Sequence, residues 1–583
     1  MKTRCLLTSL ILGLGLALAL LWLMANGPTP VTAAPGCRSL QPPGGVITVC
    51  PSGCDYSAIQ DAVDAADDGD VIKVAAATYT DLHPAVVDWR TITQVVYIRK
   101  SVAVQGGYTT TNWRVPDPVA NPTVLDARGR GRVLYISGAI SPAIEGLCIT
   151  GGDAAGLGGG PLGEDTGGGV YVAANMVAIS KCQVFSNTAD QGGGVYLNYG
   201  VATLDGNTVT SNTAGYGGGL FLSGSAVTLS GNAVTSNTAD YGGGLFLSHG
   251  AATLNGNTVV SNAASFFGGG MLLLHSDGTA LNGNIVVSNA AGYGGGLYLD
   301  QSAATLTNNV VADNQAHTAG SGLYILASSP RLLHTTVARN RGGDGSGLHV
   351  TDGGPRRSSV ALTNTILVGH TAGITIAAGN TATLEATLWG ADAWANGTDW
   401  SGPGAVITGT LAGNYWDDPG FVDPCAGDYH VGLASAALNT GVDAGVRDDL
   451  DGDPRPQGSG YDLGADETGL VVTKRAVPSV VRPGAQLNYA ICVTNTSVTT
   501  LTAAITDVLP DHVTSAGVLT WMPVTIAPGD VWIQTVTVTP ETDYVGVLTN
   551  AVQVTTGEGP DGAYTETSVA GCGVYMPLVL RGR

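Results

Sequence analysis

Residues 217–244 read GGGLFLSGSAVTLSGNAVTSNTADYGGG, so the stretch opens and closes on the same glycine triplet. Between the triplets lie Leu220-Phe221-Leu222, Ala226-Val227-Thr228-Leu229 and Asn232-Ala233-Val234-Thr235. Each run is short, bounded by Gly, Ser or Asn, and most contain β-branched or aromatic residues, which is the pattern of short strands. Nothing here has a helical period, so helical solenoids are excluded. Outward from this stretch the triplet recurs at 167–169, 192–194, 268–270 and 294–296, then becomes Gly-Ser-Gly at 320–322 and 345–347, always at steps of 25 or 26 residues. Asn187, Asn212, Asn237, Asn262, Asn289, Asn314 and Asn340 keep nearly the same step, as do Asn207, Asn232, Asn257, Asn284 and Asn309. Cys182 and His334 take that second register at its two ends. Three short strands and three turns per repeat make one turn of a coil. Coils stacked at about 4.8 Å form parallel sheets with Leu, Val and Ala inside. The spacing predicts asparagines that sit in left-handed turns and bond the same Asn one rung away, and triplets that allow corners a Cβ would block.

This repeat resembles the right-handed parallel β-helix of the pectin-lyase-like superfamily over roughly residues 45–400. Tyr56 to Ala66 reads as an amphipathic helix followed by Gly69-Asp70-Val71-Ile72-Lys73-Val74, which in that family caps the first coil. Ile144 to Gly152 resembles the first regular rung. Farther on, Asp418-Pro419-Gly420-Phe421, Asp428-Tyr429-His430-Val431, the Asp449–Pro456 run and Asp462 to Glu467 resemble the choice-of-anchor Q region that closes many bacterial β-helices. That resemblance implies a C-terminal cap in which Arg455 pairs with nearby carboxylates. From Leu470, alternating runs and turn signals such as Arg482-Pro483-Gly484 and Thr506-Asp507-Val508-Leu509-Pro510 resemble an Ig-like repeat of bacterial surface proteins. The expected fold is all-β. A signal peptide over 1–34 precedes a β-helix with its N-terminal cap over 35–413. A C-terminal cap over 414–468, an Ig-like β-sandwich over 469–567 and a tail over 568–583 follow.

Composition narrows the function classes. The chain has 583 residues, with 86 Gly and no Gly-X-Y period, which excludes collagen. A formal charge of −21 disfavours nucleic acid, which is bound mainly through Lys and Arg on phosphates, and disfavours anionic membranes. Neutral glycans and cations remain compatible. Lys2 and Arg4, the apolar run Leu6 to Met24 and the small residues Thr32, Ala33 and Ala34 read as an export signal, with an uncleaved anchor as the alternative. Export permits disulfides, and Cys37 is expected to bond Cys50 or Cys54.

Three candidate sites follow. The first is the row two residues after each triplet, Tyr171, Tyr196, Phe221, Phe246, Leu272, Tyr298, Tyr324 and His349, which strand alternation points outward. A second row, Tyr216, Tyr241, Phe267 and Tyr293, immediately precedes the triplets. Such rows either stack against sugar rings or stabilise the sheet by cross-strand pairing. The second candidate is Asp449, Asp451 and Asp453, whose close carboxylates around Gly452 suit Ca²⁺ as a cofactor, against a structural role through Arg447 and Arg455. The third is catalysis. Arg128, Arg130 and Arg132 form the densest basic cluster near the solenoid, and Arg356 and Arg357 a smaller one. His349 and His370 read as surface histidines. Residues 192–299 hold Asp205, Asp240 and Asp277 but no Lys, Arg or Glu, which argues against a lyase acting on anionic uronates.

The expectation is therefore a secreted or cell-surface protein, non-catalytic, that adheres to or binds an extracellular polysaccharide or cell-surface glycan. It would have no nucleic-acid partner and no membrane insertion after signal cleavage. A polysaccharide lyase or glycoside hydrolase, and a purely structural surface protein, are the alternatives.

Overall fold

The computed structural model describes residues 44–87, 90–159, 163–409, 413–432, 435–457, 460–495, 500–514, 517–556 and 559–569. The expected export segment, Cys37, Cys572 and nearly all of the tail lie outside these residues. The fold is a right-handed parallel β-solenoid of about 14 turns followed by a β-sandwich. Helix among the described residues is limited to Ile59–Ala65 and the short turn Asp392–Trp394. Two compact units divide the chain: residues up to 280 with 286–302 and 314–319, and residues 281–285, 303–313 and 320 onward.

In the first unit the helix Ile59–Ala65 buries Ile59, Gln60, Ala62 and Val63 beside the opening strands, as its amphipathic pattern predicts. Gln60 fixes it there by accepting from the Tyr97 amide at 2.7 Å and donating to the Tyr97 carbonyl at 3.2 Å. The disulfide joins Cys50 to Cys54, which corrects the expected bond to Cys37. Each regular rung repeats one cross-section. Leu220–Ser223, Ala226–Ser230 and Ala233–Thr235 are the three expected strands. Val227, Leu229 and Val234 point inward and are buried, while Thr228 between them is exposed.

The rung also holds a fourth strand. Thr213–Tyr216, Thr238–Tyr241, Ala263–Phe267, Ala290–Tyr293 and Gln315–Ala319 pair in parallel as an added five-stranded sheet. It lies just before each triplet, where the chain turns sharply. Gly217 takes φ +62°, and a Cβ on Gly218 would meet the Thr238 and Gly243 carbonyl oxygens at 2.5 and 2.6 Å. The triplets are thus required by backbone stacked directly on backbone.

The asparagine ladders form as expected. Asn212 Nδ2 donates to Asn237 Oδ1 at 3.0 Å, and Asn237 repeats this to Asn262. The backbone N–H groups of Asn212 and Asn237 donate to the same oxygens, and each Nδ2 also donates to an inner carbonyl, Val184 O for Asn212 and Val209 O for Asn237. The left-handed positions are not these asparagines but the residues before them: Ser186, Ser211, Ser236 and Ser261 have φ between 56° and 57°. The turn is therefore made by the exposed serine, and the Asn that follows turns its amide inward.

The second unit holds the rungs built from Leu323–Leu326, Ser346–Thr351, Ala372–Ile376 and Thr398–Ser401 with their companion strands. Residues of the 413–468 segment lie along the flank of three successive coils. Asn308 Nδ2 donates to Asp448 O, His334 Nδ1 meets Asp462 O, and Asn364 Nδ2 donates to Val442 O, at 2.6, 3.2 and 2.6 Å. Buried Arg455 joins Glu467 at 2.7 Å and donates to the Gly464 and Ala465 carbonyls. The sandwich then packs a three-stranded antiparallel sheet, Leu470–Val477, Leu487–Asn495 and Val531–Val538, against a five-stranded one containing Leu501–Val508, Val518–Ile526, Gly546–Thr556 and Gly559–Val569. Leu487, Ile491, Val493, Ile505, Val552 and Val554 form its core.

Candidate functional site

Along the solenoid the aromatic row stacks in register. Tyr171 pairs with Tyr196, Tyr196 with Phe221 and Phe221 with Phe246 on neighbouring strands. Alternation does point these rings away from the coil interior, yet they are buried: exposure is 5% for Tyr171, 1% for Tyr196, 6% for Phe221, 4% for Phe246 and 5% for Tyr298. This corrects the expected glycan-stacking surface. Rings of the fourth strand pack onto part of this row. Tyr216 lies 6.1 Å from Phe246, and Phe267 lies 4.7 Å from Tyr298, centroid to centroid. Tyr324, in the second unit, is half-buried. The buried rings act as a second core layer.

The row that reaches solvent is the other one. Tyr216, Tyr241, Phe267 and Tyr293 are each half-buried, and Phe266 beside them is 44% exposed. Tyr216 and Tyr241 stack at 4.9 Å and 9°, so they occupy one another's faces. Next to this row stand the exposed hydroxyls Thr208, Ser211, Thr213, Ser236 and Thr238, with one exposed carboxylate, Asp240, directly before Tyr241.

A polar pair stands on the second unit. His349 Nδ1 lies 2.6 Å from Asp344 Oδ2, and the imidazole stacks on the Tyr324 ring at 5.0 Å and 2°. Asp344 Oδ1 accepts from the Ser346 hydroxyl at 2.7 Å and from the Ser346 and Gly320 amides at 3.1 Å each. Burial pushes the Asp344 carboxyl up, but the bonds from His349 and Ser346 outweigh it and hold the group below its ordinary value. On the next strands the same outward position is Thr375 and then Ser401, whose hydroxyls are 3.2 Å apart. The sequence reading of His349 as a lone surface histidine missed this partner, although Asp344 stands only five residues upstream. His370 is also corrected: it is buried in the asparagine ladder, between Asn340 Nδ2 at 3.3 Å and Asn396 Oδ1 at 3.1 Å.

The expected metal trio does not converge. Asp449 is buried, and its Oδ1 accepts the Asp451 and Asp453 amides at 2.9 and 2.8 Å while Oδ2 accepts the Glu467 amide at 3.0 Å. It organises the turn. Among the described residues, the metal-type ligand atoms that gather within 4.8 Å belong to His430, Asp451 and Asp466. His430 joins Asp428 at 2.6 Å and Asp451 at 2.7 Å. Burial alone would lower its pKa, but bonds to Asp428 and Asp451 and the charge of Asp466 raise it to about 11. The cation of this cluster is thus an imidazolium, and Ca²⁺, which takes oxygen ligands, fits the donor set poorly. Burial first, then neighbouring charge, raises Asp453 to about 6, and burial does the same for Asp449 and Asp466. The pairing could have been sought in the sequence from Asp428-Tyr429-His430 and Asp466, but nothing there shows that the two segments meet.

The basic clusters are dispersed. Arg128 and Arg130 are exposed, whereas Arg132 is fully buried, donates to Thr166 O at 2.7 Å and to Gly158 O, and lies over the Tyr135 and Tyr171 rings. Arg357 pairs with Asp352.

Residues 164–315 match the family model described as right handed beta helix region. The match falls on the rungs that carry most of both asparagine ladders and of both aromatic rows. No curated protein matches the chain. No described helix is long and apolar enough to cross a membrane. In this β-helix the site must therefore be read from its own residues, because the fold hosts many functions.

Proposed function

We propose that this β-helix is a secreted or cell-surface protein that binds a neutral extracellular polysaccharide or cell-surface glycan without transforming it. The observation that carries the reading is the half-exposed ring row of Tyr216, Tyr241, Phe266, Phe267 and Tyr293 beside exposed threonines and serines. Ring edges and phenols suit the mixed C–H and O–H surface of a sugar, and repetition along the solenoid suits a polymer. The lack of Lys, Arg and Glu across residues 192–299 supports a neutral ligand over a uronate. Buried Phe246 and Tyr298 support this surface from beneath. We read the C-terminal sandwich as an Ig-like spacer or attachment module, and the 413–468 segment as the cap of choice-of-anchor Q type. Screening the purified protein on a glycan array, together with its Tyr216→Ala/Tyr241→Ala/Phe266→Ala variant, tests the reading. Retained signal should fall at least tenfold in the variant, and an unchanged signal sinks it.

A second reading, polysaccharide cleavage, is favoured by the Asp344–His349 pair alone. An imidazole oriented by a carboxylate is a common general base, and Thr375 and Ser401 continue the same outward position. Release of reducing ends or unsaturated products from pectins or alginates, lost in His349→Ala, would establish it. Silence in both assays leaves the binding role, and silence on the array as well leaves a structural one.

A further inference from the structure

The sandwich core contains polar atoms that its non-covalent contacts do not satisfy. Lys474 and Asp507 are paired there with both side chains fully shielded from solvent. The Lys474 ammonium also lies 5.5 Å from the centre of the Tyr489 ring. Among the described residues Asp507 Oδ2 has no hydrogen-bond partner. Asn550 is fully buried, and among the described residues neither its Oδ1 nor its Nδ2 makes a hydrogen bond. A primary amide can make four such bonds, and a buried amide with none is rare in native folds.

Register places Asn550 next to the ion pair. The strands Leu501–Val508 and Gly546–Thr556 are antiparallel neighbours, with Asp507 opposite Val552. Asn550 is two residues from Val552, so it shares the inward face and lies diagonally beside Asp507. Lys474 reaches the same Asp507 from the first strand of the opposing sheet. An amine, a carboxylate and a carboxamide thereby share one buried core.

We propose that Lys474 and Asn550 join in an intramolecular isopeptide bond, with Asp507 as the acid–base group. Asp507 takes a proton from the Lys474 ammonium, and the freed Nζ attacks Asn550 Cγ. The Nζ–Cγ bond forms, the Cγ–Nδ2 bond breaks, and Asp507 returns its proton to the departing nitrogen. The leaving group departs as ammonium, carrying the positive charge that began on Lys474, and Asp507 ends ionised as it started. No oxidant or added reactant is needed. Burial lowers the Lys474 pKa, although Asp507 opposes this, so the pocket favours the attacking free amine. In the product the new amide N–H can donate to Asp507, and the buried ammonium and the orphan Nδ2 are both gone. The bond ties the first strand of the sandwich to the long strand near its end, which resists unravelling under pull.

Peptide mapping of the denatured full chain by mass spectrometry tests this. The expected result is one branched peptide holding Lys474 and Asn550, lighter than the two linear peptides together by one ammonia, with no tryptic cleavage after Lys474. Linear peptides with free Lys474 and intact Asn550 overturn the proposal. So does a branch that lacks one water and joins Lys474 to Asp507. Asp507→Ala should abolish the branch while leaving both peptides present in linear form. Should that variant not fold, the wild-type map still decides.

Discussion

Asn212 Nδ2 lies 3.0 Å from Asn237 Oδ1, one rung along the coil, and the same two residues share a second bond through the Asn212 amide. Each ladder asparagine therefore both receives and passes on bonds to its neighbours. Replacing Asn237 by Ala strands two donors of Asn212 and the Val209 carbonyl in a buried site. Since each orphan costs about 1–3 kcal/mol, the variant should lose on the order of 3 kcal/mol. Thr228→Ala, on the exposed face of the same rung, should stay within about 0.5 kcal/mol. Urea midpoints with unchanged slopes would measure both.

The two aromatic rows should separate in the same assay. Phe221→Ala removes a buried ring and should cost about 3–5 kcal/mol. Tyr241→Ala removes a half-buried ring and should cost far less while weakening glycan retention. Equal costs would mean that the two rows are equally buried.

His370 should make the solenoid sensitive to acid. Burial lowers its pKa to about 4, against the ordinary 6.5, with the Asn396 bond opposing. Between those values the unfolded chain binds a proton that the folded chain does not, so this contribution is present above pH 6.5 and is lost as pH falls toward 4. The full loss is about 3 kcal/mol. His370→Asn keeps the ladder register and should flatten this part of the profile. Unfolding free energies from pH 7 to 4 for both proteins would show it.

Asp449 should matter through the backbone. Asp449→Ala removes the acceptor of three amides and should cost about 2–4 kcal/mol, whereas Asp453→Ala should cost under about 1 kcal/mol. Adding Ca²⁺ should leave the thermal midpoint of the wild type unmoved. A rise of several degrees would restore the calcium reading.

His430 sets a different pH window. Its folded pKa of about 11 lies above the ordinary 6.5, so its stabilising contribution is complete below pH 6.5 and is lost as pH rises toward 11. Hydrogen exchange across residues 428–457 should therefore be faster at pH 10 than at pH 7 once the intrinsic base catalysis is divided out. His430→Gln should remove that difference.

The sequence by itself determined the coil. A chain that meets the same Gly triplet and the same Asn every 25 or 26 residues must return to the same corner, and alternation told which Val and Leu face in. It also placed both aromatic rows, the opening helix and the change of character near residues 414 and 470. Only the tertiary structure decided what each row does. Alternation fixes a side chain's direction from its own strand, but exposure depends on what lies above it. The fourth strand is a short stretch of mostly small residues with no alternation of its own, and its Tyr216 and Phe267 pack onto the buried Phe246 and Tyr298. Pairs such as His430 with Asp451, or Lys474 with Asp507, join segments 21 and 33 residues apart. Local pattern carries no information about such meetings, because they are set by where whole strands and turns dock.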